Sequence, residues 1–140
     1  MTALTANQQI NSKSNFKRKY YPVLTGAIHI YKGAIVMGEG SGGYATVGAD
    51  TSGCKFLGIA TQELNQATGG SSGDNVIEVI PMGSGDLVLL PTGTIARTDV
   101  GTSVYIKDSG AVDLVGVTTN DVLVGVIREF VTTTSAYVQI

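Results

Sequence analysis

Residues 55–60 read Lys-Phe-Leu-Gly-Ile-Ala, and residues 122–127 read Val-Leu-Val-Gly-Val-Ile, two apolar runs with a glycine at the same place. A polar loop follows each run. After the loop comes a second run, over residues 75–80 in the first case and residues 136–140 in the second. A pattern that recurs within one chain predicts a structural repeat. We therefore expect two related β units.

The repeat also extends upstream of each glycine-containing run. Glycine-led apolar segments cover residues 33–37 and 101–106, and short second strands cover residues 44–47 and 111–115. β-Branched residues dominate these runs, and turn residues separate them at the spacing that is typical of sandwiches and barrels. The sequence thus predicts an all-β fold, a compact β-barrel or sandwich built from two related units.

The chain divides into an extended arm over residues 1–22 and a β domain over residues 23–140. The arm is polar and has few large apolar side chains, so by itself it cannot bury much surface. Residues 1–22, and the segment 81–99 between the two copies, show no counterpart in the repeat. They are therefore the places where contacts specific to this protein are expected.

Charge separates the arm from the domain. Five of the nine basic residues and no acid lie in residues 1–38, whereas residues 39–140 hold all 11 acidic residues. A basic arm on an acidic body favours an acidic contact for the arm, on a partner or on a neighbouring copy. An equally open alternative is that the lysines and arginine only keep a tail soluble.

Several classes of protein are disfavoured by composition. A single cysteine, Cys54, excludes an intrachain disulfide framework. No apolar run approaches the length of a membrane span, and the N-terminus lacks the apolar region of a secretory signal. We expect synthesis in a cytoplasm and no membrane contact. An acidic domain with few aromatic residues also disfavours direct nucleic-acid binding.

Gly58 and Gly125 occupy equivalent positions inside the two glycine-containing runs. A glycine within a strand indicates a bulge, a bend or a close approach of backbone, so both residues are predicted to be structural. The second run, residues 122–127, is apolar almost throughout. It is therefore expected to be buried on both faces.

One motif resembles a catalytic signature. Residues 108–111, Asp-Ser-Gly-Ala, match the signature of aspartic proteases, and residues 50–53, Asp-Thr-Ser-Gly, are a near match. Those enzymes need two carboxylates that share a proton. The same residues are standard turn formers between two strands, and Ser52 stands where the second signature needs glycine. A turn is the favoured interpretation, with an aspartic protease as a remote alternative.

No other set of residues predicts catalysis or cofactor binding. His29 is the only histidine and lies in an apolar strand. The glycine-rich stretches 38–43 and 69–73 lack the Lys-Ser/Thr and the helix of a phosphate-binding loop. We therefore expect no enzymatic activity, no catalytic residue, no metal and no cofactor.

Three segments carry a family resemblance. The glycine-led strand over residues 101–108, the run Val-Gly-Val-Ile at 124–127 and the terminal strand at 137–140 resemble the capsid decoration (cement) proteins of tailed bacteriophages. Residues 33–80 repeat the same layout, so the resemblance covers about residues 23–140. It implies a small β domain on the outer surface of an icosahedral head.

The resemblance also implies partners and a location. Such proteins clamp neighbouring subunits of the major capsid protein, often as trimers at threefold positions, so the expected location is the outer capsid surface of a virion. In this interpretation the arm binds the shell or a neighbouring copy. The residues expected to make these contacts are Phe16, Lys17, Arg18, Lys19, Tyr20 and Tyr21. Other virion components remain alternatives: a head fibre, a tail-tube subunit or a surface glycan-binding module.

Overall fold

The computed structural model describes residues 3–10, 17–67 and 71–140. These residues form strands and one short 3-10 turn, Arg97–Asp99. The strands are β1 (Lys19–Pro22), β2 (Ile28–Ile30), β3 (Ile35–Gly38), β4 (Ala45–Val47), β5 (Lys55–Ala60), β6 (Leu64–Gln66), β7 (Val76–Pro81), β8 (Leu87–Pro91), β9 (Ser103–Asp108), β10 (Ala111–Asp113), β11 (Leu123–Thr132) and β12 (Ser135–Gln139). The predicted all-β class is confirmed.

The two related units are visible as two five-stranded antiparallel sheets with the same topology. The first sheet has the order β1-β7-β5-β3-β4, and the second has the order β8-β12-β11-β9-β10. In these two orders each strand of the first sheet corresponds to one strand of the second. The corresponding strands also occur in the same order along the chain. We refer to residues 19–81 as the first unit and to residues 87–140 as the second unit.

The registers of the two sheets also match around the predicted structural glycines. Val36 pairs with Gly58 in the first unit, and Val104 pairs with Gly125 in the second. In both sheets the next pair skips one residue of the glycine-containing strand, so each unit has a bulge at the same place. The repeat therefore extends to single residue pairs.

The repeat is longer than the sequence indicated. The predicted arm and the segment 81–99 were expected to have no counterparts, but β1 and β8 occupy equivalent edges of the two sheets. Pro22 ends β1 and Pro91 ends β8. The relation escaped sequence comparison because β1 carries exposed lysine and tyrosine where β8 carries valine and leucine.

The sheets form a sandwich rather than a closed barrel. In each unit an isolated parallel bridge joins the residue after one edge strand to the opposite edge strand. Val23 bridges to Ala45 of β4, and Thr92 bridges to Val112 of β10. A barrel needs a continuous ladder between its first and last strands, and a single bridge does not supply one. The barrel alternative is therefore wrong, and both sheets are open.

The central strands of the first sheet, β3, β5 and β7, are largely buried on both faces. Ile35, Ile59 and Ile80 belong to a core that includes the inner face of the second sheet. On the opposite face, Val36 and Val79 belong to a smaller core that includes the β2–β6 pair. The first sheet is therefore the middle layer of the molecule.

The second sheet is buried mainly on one face, which corrects the expectation for residues 122–127. Val124 and Ile127 lie in the core, but Leu123 is 43% exposed and Val126 is only half-buried. The run is apolar on both faces. Among the described residues, however, no further strands pack against the outer face of the second sheet. Apolar composition alone does not reveal this difference.

Candidate functional site

Strand β1 carries three of the six residues that were predicted to contact a partner, Lys19, Tyr20 and Tyr21. It lies at the edge of the first sheet and pairs with β7 through Lys19–Val79, Tyr20–Glu78 and Tyr21–Ile77. Lys17 and Arg18 precede it and are exposed. Phe16, the remaining predicted contact, lies outside the described residues.

Arg18 and Tyr20 converge on one carboxylate, that of Glu78 on β7. A nitrogen of the Arg18 guanidinium lies 3.0 Å from Oε1 of Glu78, and the Tyr20 hydroxyl donates to Oε2. The Thr61 hydroxyl donates to Oε1 as well. The bond from Thr61 has the largest effect on the Glu78 carboxyl. Together these bonds hold its pKa below the ordinary value. The residues Arg18, Tyr20, Thr61 and Glu78 form what we name the Glu78 clamp.

The clamp decides which side chains of the predicted site face outward. Tyr20 uses its hydroxyl internally, and the bond to Glu78 raises the pKa of the phenol, yet the residue is 59% exposed. The Lys19 ammonium lies 5.5 Å from the centre of the Tyr21 ring, which packs against the smaller core. Lys17, Lys19 and the ring of Tyr20 are exposed at this edge of the sheet, and we name these three groups the β1 surface.

Residues 3–10 lie on the body and touch both units. The Leu4 N–H donates to the hydroxyl of Ser109 in the second unit. In the first unit, the Gln8 N–H donates to the carbonyl of Lys32, and the Asn7 amide donates to the Glu63 carboxylate. We name residues 3–10 the N-terminal segment.

Gly58 and Gly125 both lie where another chain segment approaches too closely for a side chain. A Cβ at Gly58 would be 2.2 Å from the carbonyl oxygen of Ile80. A Cβ at Gly125 would be 2.1 Å from the carbonyl oxygen of Gln139. Real Cβ atoms do not approach an oxygen so closely, so in this backbone only glycine fits at either position.

The two aspartates of the protease-like motifs each bind turn backbone. Asp108 and Gly110 belong to the turn between β9 and β10, and the Asp108 carboxylate accepts the Gly110 N–H. The Asp50 carboxylate accepts two N–H groups, those of Thr119 and Asn120 in the second unit. Among the described residues no hydrogen bond joins Asp50 to Asp108, whereas an acid protease needs two carboxylates that share a proton.

The lone histidine also has a local partner. Nε2 of His29 lies 2.6 Å from a carboxylate oxygen of Glu63, and its ring lies against that of Tyr31. The hydrogen bond with His29 is the main reason why the pKa of Glu63 is lowered. Over residues 3–10, 17–67 and 71–140, no group of three or more potential metal ligands is present.

Sequence reasoning missed an exposed apolar loop between β10 and β11. Residues 111–115 were predicted to form a strand, but β10 ends at Asp113. Val115 and Val117 beyond it are each 61% exposed, and Asp50 holds the loop at Thr119 and Asn120. Gly116, between two valines, was the signal available in the sequence, because glycine favours turns. Its φ of 84° is a conformation that glycine adopts readily.

Comparison with protein-family models, with curated proteins and with solved structures gives no match for this chain. No helix in the described part of the chain has the length and apolar character needed to cross a membrane.

Proposed function

We propose that this chain is a structural virion protein that binds the outer surface of a phage capsid. It stabilises the shell by bridging subunits of the major capsid protein, and copies of the chain contact each other around threefold positions. The observation that carries this proposal is the β1 surface, where Lys19 and Tyr20 on a sheet-edge strand, and Lys17 just before it, are exposed. The family resemblance supports the same function.

The β1 surface has the properties of a docking edge. Within the described residues no strand pairs with the side of β1 that faces away from β7. Such an edge offers backbone groups to an extended segment of a partner, and flanking side chains then set the specificity. Lysines on this edge favour an acidic partner and disfavour aggregation of the free protein.

Bridging requires a second contact region, and the β10–β11 loop supplies one. The loop belongs to the second unit, whereas β1 belongs to the first unit. Exposed Val115 and Val117 offer about 1–2 kcal/mol each on full burial, and the fixed base of the loop limits the entropy lost on binding. Many such modest contacts, repeated over a shell, add through multivalency.

The proposal is tested with particles of the phage that encodes this chain, grown with and without its gene. Particles that lack the protein should lose DNA at a lower temperature, and added protein should restore their stability. We expect the double charge reversal Lys17→Glu, Lys19→Glu to weaken binding to the particles by about 5–30-fold, or about 1–2 kcal/mol. Binding is measured by sedimentation of the particles with added protein.

The matched control is Lys55→Glu, which reverses an exposed lysine on β5 of the same unit. It should bind as the unchanged protein does. Equal binding by the β1 double variant and the Lys55 variant would remove the role of β1. Absence of the protein from purified particles would contradict the proposed function itself.

A further inference from the structure

Each unit contains the same tight turn just before its glycine-led strand. In the first unit the turn runs over Tyr31–Ala34, where the Ala34 N–H donates to the Tyr31 carbonyl and Gly33 has a φ of 86°. In the second unit the turn runs over Asp99–Thr102, with the Thr102 N–H donating to the Asp99 carbonyl and Gly101 at a φ of 93°. The two turns are equivalent in backbone geometry.

Both turns are attached to their sheets in the same way. The Gly33 N–H donates to the Ala60 carbonyl, 2.8 Å away, at the end of β5. The Gly101 N–H donates to the Ile127 carbonyl, 2.7 Å away, on β11. The N–H groups of Ala60 and Ile127 in turn donate to the carbonyls of Ala34 and Thr102, the residues after the two glycines. The two turns therefore have the same backbone hydrogen bonds. They differ in the residues that lie over them.

The first turn is covered by the N-terminal segment. The Gln8 N–H donates to the Lys32 carbonyl, and the Gln8 side-chain amide donates to the Gly33 carbonyl. Lys32 in turn donates its N–H to the Asn7 side chain. Cγ of Gln8 fills the space that a side chain at residue 33 would need, 2.4 Å from the Cβ position.

The second turn has no such cover from the part of the chain that the structure describes. Within the described residues nothing lies within 4 Å of the Cβ position of Gly101, and nothing donates a hydrogen bond to the carbonyls of Val100 or Gly101. Val100, at the position of Lys32, is 45% exposed. Beside it the Arg97 guanidinium stacks over the Phe130 ring, 4.7 Å from its centre. The second unit thus presents a vacant, more apolar version of an occupied site.

We propose that the turn Asp99–Thr102 binds the N-terminal segment of a neighbouring copy of this chain. Gln8 of that copy would place its N–H on the Val100 carbonyl and its side-chain amide on the Gly101 carbonyl, as it does with Lys32 and Gly33 within one chain. The N-terminal segment is the expected occupant because the equivalent turn of the first unit already binds it. This contact between copies does not require a capsid.

Concentration decides between the two sites. Within one chain the segment reaches Lys32 and Gly33 at a high effective concentration, so the free protein keeps its segment. When copies are crowded together, the same hydrogen bonds form with the neighbouring copy, and little free energy separates the two arrangements. Exposed Val100 adds apolar contact that Lys32 does not provide.

Cysteine cross-linking between two full-length chains tests this inference. One chain carries Gln8→Cys and the other carries Val100→Cys, both with Cys54→Ser, and one chain is labelled with nitrogen-15 so that mass identifies mixed dimers. The mixture is oxidised with oxidised glutathione at increasing protein concentration. A chain with Gln8→Cys and Lys32→Cys together is the positive control, and it should form an intrachain disulfide.

The matched comparison pairs Gln8→Cys with Val115→Cys, since Val115 is even more exposed than Val100. We expect mixed dimers through residue 100 to exceed those through residue 115 at least tenfold, increasingly so at higher concentration. Val100→Glu in a separate variant should abolish any self-association seen by sedimentation. Equal yields at residues 100 and 115, or no dimers at either, would overturn the proposal.

Discussion

At the scale of single residues, two glycines show how the repeat is maintained. Gly58 and Gly125 each lie opposite a valine and beside a bulge, with a carbonyl oxygen too close to the position that a Cβ would take. The glycine and its place inside an apolar run were visible in the sequence. The carbonyl that excludes a side chain was not, because Ile80 and Gln139 approach only when a third strand pairs with the bulged one.

Substitution of either glycine by alanine is therefore expected to destabilise the protein by about 1–3 kcal/mol, because the methyl group would overlap a backbone oxygen that cannot move independently. Urea unfolding measures the change. Gly38→Ala is the matched control, since Gly38 lies in β3 and its nearest neighbour would be 3.4 Å from the new Cβ. A loss at Gly38 as large as at Gly58 would contradict the steric explanation.

Asp50 and Asp108 show the same limit at polar positions. The turn chemistry of Asp-Ser-Gly was predictable because the side chain of Asp108 binds the backbone two residues later. The partners of Asp50 lie about seventy residues away along the chain. Spacing along a sequence carries no information about such long-range pairs.

At the scale of elements, the comparison of β1 with β8 separates topology from stability. Both are edge strands at equivalent places, but Val88 and Leu90 of β8 are almost fully buried, whereas Tyr20 is 59% exposed and Lys19 is exposed. Strand β8 is held by apolar burial. Strand β1 depends more on its backbone pairing and on the Glu78 clamp.

The pKa of Glu78 is lowered in the folded protein. The ionised carboxylate therefore stabilises the clamp at pH values above 4.5, the ordinary pKa of the group. This contribution is lost as the pH falls through the lowered pKa. Glu78→Gln imitates the acid form at neutral pH, and we expect it to raise the rate of tryptic cleavage after residues 17–19 by about tenfold at pH 8.

Glu39→Gln is the control for this prediction. The Glu39 carboxylate accepts hydrogen bonds from the Ser41 hydroxyl and from backbone N–H groups of the β3–β4 loop, which lower its pKa to about 2. Among the described residues no hydrogen bond joins it to β1 or β7. It should leave cleavage after residues 17–19 unchanged. If Glu78→Gln and Glu39→Gln are cleaved at the same rate as the unchanged protein, the clamp does not hold β1.

At the scale of the whole molecule, the two units share one core. Ile35 and Ile80 of the first unit lie in the same cluster as Val104, Ile127 and Val138 of the second. The bonds from Thr119 and Asn120 to Asp50, and the N-terminal segment, add links between the units. We therefore expect the two units to fold together as one domain.

We expect unfolding in urea to be a single transition, with far-UV circular dichroism and tyrosine fluorescence coinciding. Ile80→Ala should destabilise both units together by about 2–5 kcal/mol, since it leaves a cavity in the shared core. Amide exchange in β12 reports the second unit. A variant that loosens the first unit while β12 keeps its protection would show that the units unfold separately.

The sequence by itself determined the all-β class, the existence of two units and the positions of the structural glycines, because alternation, turn residues and repetition are local properties of a chain. Tertiary structure alone decided that the sheets stay open, that β1 is the counterpart of β8, and that Arg18 and Tyr20 bind Glu78. It also left the Asp99–Thr102 turn without cover from residues 3–10, 17–67 and 71–140. These features depend on which surfaces meet, and packing between distant segments is not encoded in any single stretch of residues.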